Sequence, residues 1–318
     1  MDRRRFLCAT TALILSPEAL ARSAGGTTPV ALVTADLESR IVAVELETGR
    51  RLASIRTLPD PRSIQAVGNV AVVAHSAQGA LSLIHPDLTV RRVIRGLDEP
   101  RYAAASSNGR YAFVTDSGLS GLAVVDVLRG RIVARLALGG PARHLSVDSS
   151  GRWLWAALGS KANRIAIIDV RDPRRPRLLG RIRPSFLAHD VGFAPGGRRV
   201  WVTSGDTRTI AIFDARTGRA VTRLRAHAPP QHVTFSGRHA FITSGDDGTL
   251  RVHAVSTGRL VGERTIPKGS FNVQEARGRI LTPSLSTGTL CIHDANGRPL
   301  HRLDVARSSH DACSIEAG

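Results

Sequence analysis

The stretch YAAASSNGRYAFVTDSGLSGLAVVDV, residues 102–127, decides the fold. It reads as a short apolar strand, a turn at Asn108-Gly109-Arg110, a second strand from Tyr111 to Thr115, and a third ending in Val125-Asp126-Val127. Glycine after a polar residue lets the chain reverse tightly, and the apolar runs on either side have the length and residue types of sheet strands. The segment HLSVDSSGRWLWAALGSKANRIAIIDV, residues 144–170, repeats the phrase, with Ser150-Gly151-Arg152, then Trp153 to Ala157, then Ile168-Asp169-Val170.

Working outward, the phrase returns at Gly197-Arg198-Arg199, Gly237-Arg238-His239 and Gly278-Arg279. A second turn punctuates it at Thr48-Gly49-Arg50, Arg129-Gly130-Arg131, Thr217-Gly218-Arg219, Thr257-Gly258-Arg259 and Asn296-Gly297-Arg298, each followed by a further strand. The unit is therefore four antiparallel strands, A to D, in about 40 residues, which is the size of a propeller blade. Aligning the first residue of strand A gives Ser63, Tyr102, His144, Asp190, His232, Asn272 and Asp311, hence seven units. Val30 to Leu46 aligns without a gap on Tyr111 to Val127, so the repeat starts at strand B, and the segment after Asp311 supplies only strand A. The expected fold is all-β, a seven-bladed β-propeller of four-stranded antiparallel blades. Its last blade is closed by N-terminal strands B, C and D and C-terminal strand A, which removes two free sheet edges.

With Tyr111-Ala112-Phe113-Val114-Thr115-Asp116 followed by Val124-Val125-Asp126, the repeat resembles the YVTN-type β-propeller family. The resemblance covers about residues 30 to 318. It implies the fold and leaves the activity open, because one scaffold hosts many functions. Trp-Asp and Gly-His dipeptides of the WD40 kind are absent, as is a Cys-x-x-Cys-His haem attachment.

The N-terminus has another character. Arg3-Arg4-Arg5-Phe6-Leu7, the apolar run Ala9 to Leu15 and Ala19-Leu20-Ala21 have the order of a basic region, a short apolar core and a small-residue cleavage site. The arginine core resembles a twin-arginine export signal, with Asp2 and Cys8 where that pattern has Ser or Thr and Lys. The expected organisation is a signal peptide at 1–21, a short linker at 22–29 and the propeller at 30–318, with a periplasmic or secreted destination. No other segment approaches 18 apolar residues, so no membrane span is expected in the mature chain. Cys291 and Cys313 would remain after cleavage, on different strand types of neighbouring blades, and are expected as buried thiols.

Lys plus Arg number 44 against 26 Asp plus Glu, for a net charge of +18. The cations are nearly all arginine, since only Lys161 and Lys268 are lysines, and they scatter over turns and strand ends. Such scatter reads first as a solvated surface. With 4% aromatic residues there is no base-stacking platform, so no nucleic-acid partner is expected.

The register turns positions into a candidate site, because the starts of strand A ring the channel mouth on the face that carries the D-to-A and B-to-C loops. The candidate ligand-binding residues are Arg62, Ser63, Arg101, Tyr102, Arg143, His144, His189, Asp190, His232, Asn272, His310 and Asp311. Arginine suits a carboxylate or phosphate as a fork, while His and Asp can take protons or bind a metal. The leading expectation is a monomeric, non-enzymatic binder of a small anionic ligand or an extracytoplasmic protein. The alternative is a hydrolase, lactonase or lyase using His and Asp at the same mouth, although no catalytic set stands out. No cofactor is predicted; a third reading is a divalent metal on His144, His189, His232 and His310, which come from four different blades. Polar residues at a strand entry can also simply cap backbone N–H groups.

Overall fold

The computed structural model describes residues 27–318, so the signal segment 1–21 and linker residues 22–26 lie outside the described residues. Among the described residues twenty-eight strands form seven four-stranded sheets, each running A to D in chain order apart from the closing one. The inner strands are Pro61–Val67, Pro100–Ala105, Leu145–Val147, Val191–Phe193, Val233–Ser236, Gln274–Ala276 and Ala312–Ala317. The closing blade joins Ala312–Ala317 antiparallel to Thr28–Ala35, with Leu32 opposite Cys313. Arg40–Glu45 and Arg51–Arg56 complete it. Cys291 and Cys313 are both buried free thiols.

The core lies between blades, and the second strands supply its largest side chains. Trp155 is fully buried with Val191, Val200 and Phe213 between the third and fourth blades. Trp201 does the same with Val233, Ala240 and Ile242 one blade further on. An indole removes about 200 Å² from water, on the order of 5 kcal/mol of transfer free energy, so these residues hold the ring together. Trp153 packs at the edge of the first cluster beneath the Arg152 guanidinium.

Two devices recur in step with the repeat. The carboxylates that end the third strands brace the following turn: Asp126, Asp214 and Asp294 accept the backbone N–H of Arg129, Thr217 and Asn296. Each outermost strand carries a bulge, which leaves Leu52, Arg91, Val133, Leu179, Val221, Val261 and Leu300 without a partner across the sheet. Bulges and the arginines of these strands make poor templates for edge-to-edge pairing. Among the described residues no helix is long and apolar enough to cross a membrane.

Candidate metal centre

The B-to-C and D-to-A loops meet on one face, where the Asp116 carboxylate accepts the N–H groups of Asp98 and Glu99. There the blades are tied by a ring of hydrogen bonds to the carbonyl of the residue preceding each strand A. Ser63 Oγ donates to Arg101 O at 2.5 Å and Thr115 Oγ1 to Arg143 O at 2.6 Å. Thr203 Oγ1 donates to Gln231 O and Thr243 Oγ1 to Phe271 O. Asn272 Nδ2 donates to His310 O at 2.8 Å, and His310 Nδ1 to Arg62 O at 2.7 Å. The seventh junction differs. Ala157 stands where Thr115, Thr203 and Thr243 stand, so His144 is the side chain left beside the His189 carbonyl. Neither ring nitrogen of His144 completes a hydrogen bond, although the residue is 2% exposed.

The two acids of the mouth are also joined to backbone. Asp190 accepts Val191 N at 2.8 Å and, from the next blade, Val233 N at 3.0 Å. Asp311 accepts Ala312 N at 2.9 Å and Ile64 N at 3.1 Å, across the closure. Of the expected funnel residues, Ser63, Asn272, Asp190 and Asp311 thus have polar atoms engaged in holding blades together. Burial pushes the Asp311 carboxyl up to about 7, and that of Asp36, under Arg62, up to about 6.

Three histidines from consecutive blades do converge. His144, His189 and His232 each present a ring nitrogen, and these atoms lie within 4.8 Å of one another. Their ring centroids stand 4.5 Å (His144 to His189), 4.5 Å (His144 to His232) and 5.2 Å (His189 to His232) apart. His189 Nδ1 donates to Ser160 O at 3.0 Å, and His232 Nδ1 stands 3.5 Å from Asp190 Oδ2. The Nε2 atoms of His189 and His232 therefore remain for a ligand, as does one nitrogen of His144. Donors around one tetrahedral ion would sit about 3.3 Å apart, a spacing reached by small rotations of the rings.

Local sequence explains this placement. Gly205, in the left-handed region at φ +74°, passes so close to His189 that a Cβ there would meet His189 Cβ at 2.7 Å. On the other side the Tyr102 ring packs on His144 with centroids 4.2 Å apart. Burial first, then the nearby charges of His189 and His232, hold His144 well below the ordinary imidazole range. Burial and His232 bring His189 down to about 4. Neutral imidazoles are the form that binds metal. His310 stays outside the cluster, its Nδ1 on Arg62 O and its ring 6.3 Å from that of Tyr102. His75 is held by Pro59 O and Ser82 Oγ.

Arg62, Arg101 and Arg143 occupy the same register position in three consecutive blades, each just before the residue aligned as the start of strand A. Arg62 pairs with Asp36 at 3.4 Å and Arg101 with Glu99. Beneath the histidines, a cavity of about 580 Å³ runs down the axis; Tyr102, His144 and His232 bound it above, and Ser146, Thr234 and Gln274 along its length.

No family model matches the sequence, and no curated protein matches it. Solved structures do. A protein of unknown function from Desulfotomaculum acetoxidans superposes with a TM-score of 0.78 at 12% identity, over 91% of this chain and 99% of that one. Hydrazine synthase from Kuenenia stuttgartiensis gives 0.72 at 16% identity, over 84% and 92%. Apo AztD from Citrobacter koseri gives 0.71 at 10% identity, over 92% and 99%. At these identities the likeness shows the fold alone.

Sequence reasoning placed the three histidines at the mouth, but not Gly205 or Ser160, which orient His189. Neighbours on a strand face opposite ways, so His189 and Asp190 do not make a dyad. The observed contact instead pairs Asp190 with His232 of the next blade. Absence of the repeat threonine at Ala157 is the one signal that marked the His144 junction as different.

Proposed function

We propose that this chain is an exported, non-enzymatic metal-binding propeller, with His144, His189 and His232 holding one divalent first-row ion at the channel mouth. The observation that carries the reading is the meeting of three imidazoles that each keep a nitrogen unengaged, two of them with the other nitrogen oriented by a carbonyl or a carboxylate. Such outer contacts set ring direction and basicity in metal sites. The nitrogen of the buried His144 that is turned away from the His189 carbonyl points the same way, because an unpartnered buried polar atom costs about 1–3 kcal/mol. An all-imidazole set suits zinc or copper better than calcium or magnesium. Binding is favoured over turnover, because Asp190 and Asp311, the two acids at the starts of strand A, both have their oxygens on backbone N–H groups. Export rests on the basic and apolar N-terminal segment.

Elemental analysis of protein purified from its natural compartment, and after dialysis against zinc or copper, tests this. The expected result is one ion per chain, held less tightly, so that occupancy after dialysis falls, in His144→Ala and His232→Ala variants that still fold. Absence of any stoichiometric ion before and after dialysis overturns the reading.

A further inference from the structure

Next to His144 in the chain stands a cation with no counterpart. Among the described residues Arg143 makes no ion pair and no side-chain hydrogen bond, and its Nε is buried without a partner. The backbone is nonetheless fixed: Arg143 N donates to Ala157 O at 2.9 Å, and Arg143 O accepts Thr115 Oγ1. Its charge acts on His144 and His189 and on their neighbours His310, Tyr102 and Arg101. Arg62 and Arg101, the equivalent residues of the two preceding blades, each have a carboxylate, Asp36 and Glu99.

Three guanidinium groups within electrostatic reach of one another repel, and two of them are offset. Partly buried charges are ordinarily paired. A divalent ion on the neutral imidazoles would add to the imbalance and keep one position open beyond its three protein ligands. The forked guanidinium matches two oxygens of a planar anion, which Lys would hold only as a point charge.

We infer that the open position of the metal takes a small carboxylate or carbonate, held between the ion and the Arg143 fork, with Arg62 and Arg101 supplying a positive rim. This inference rests on the metal reading above. The anion binds by one oxygen to the ion and by what remains to Arg143, one oxygen in a simple carboxylate and two in carbonate; no covalent bond is made or broken.

The test uses the mature chain loaded with Co²⁺ and freed of excess ion, titrated at constant ionic strength with acetate, bicarbonate and oxalate, with chloride as the control. The visible d–d bands should change saturably with the carboxylates and carbonate and not with chloride. Arg143→Gln should raise the midpoint by about tenfold or more, the loss of a charge-assisted bond. Arg143→Lys should fall between the two, and it carries the comparison if the Gln variant does not fold. Cobalt per chain, measured on every sample, separates the two failures. If the wild-type chain takes up no cobalt, the metal reading and this inference are both overturned. Cobalt uptake with bands that no anion alters, or Arg143 variants that titrate like the wild type, overturns the inference alone.

Discussion

The carboxylate of Asp190 stands 3.5 Å from Nδ1 of His232 while its oxygens accept the N–H groups of Val191 and Val233. One side chain therefore joins two blades and engages Nδ1 of the second blade's imidazole, leaving Nε2 for a ligand. Fold and site share this atom, which gives a way to separate their contributions.

Asp190→Asn keeps one oxygen for Val233 N–H, gives up the bond from Val191 N–H and removes the negative charge beside His232. Metal affinity, measured by competition with a chelating dye, should fall about 10- to 100-fold, the usual effect of losing such an orienting group. Asp190→Ala should lose as much affinity and also about 1–3 kcal/mol of stability, because Val233 N–H is left buried without an acceptor. Equal affinity in the wild type and Asn variant would mean that the carboxylate serves the fold only.

Gly205 makes the second case. A methyl group there meets the Cβ of His189, and φ is +74°, a conformation that disfavours any side chain. Gly205→Ala should displace His189 from the cluster and weaken metal binding, whereas Gly237→Ala, with φ +54° and nothing near its Cβ, should affect stability alone. Calorimetric titration of both variants with zinc checks the difference.

Stability of the metal-free chain should rise with pH between about 4 and 6.5. His75, His144, His189, His253, His293 and His310 are all held below their ordinary range, burial being the first cause in each. Their stabilisation is complete above the unfolded value near 6.5 and is lost as pH falls towards the folded values. Asp36 and Asp311, raised to about 6 and about 7, act in the opposite sense, since the stability they add is present below the unfolded value near 3.8 and is lost as pH rises. Six groups against two decide the sign. Urea unfolding in chelator at pH 5.0 and 6.5 measures it, and lower stability at pH 6.5 would contradict the argument.

The blades were legible because each one repeats the same physical instruction, a polar-Gly-Arg turn before an apolar strand, and seven copies average out the exceptions. Closure was legible because the first strands align on B, C and D. The site was legible only as a ring of positions. Ser63, Asn272, Asp190 and Asp311 read as ligand groups, yet their atoms tie neighbouring strands. His144 and His310 hold equivalent places; His310 finds the Arg62 carbonyl at 2.7 Å and His144 completes no bond. That difference depends on ring rotation and on contacts made by other blades, such as Ser160 and Gly205, which no local pattern records.

The central claim is a centre of three imidazoles on one ion, and X-ray absorption at the metal edge of the zinc-loaded chain tests it most directly. The account predicts a first shell of nitrogen and oxygen at about 2.0–2.1 Å with outer scattering from three imidazole rings, falling to two in His144→Ala. A sulfur shell, a shell of oxygens without imidazole scattering, or a His144→Ala spectrum identical to the wild type would contradict it.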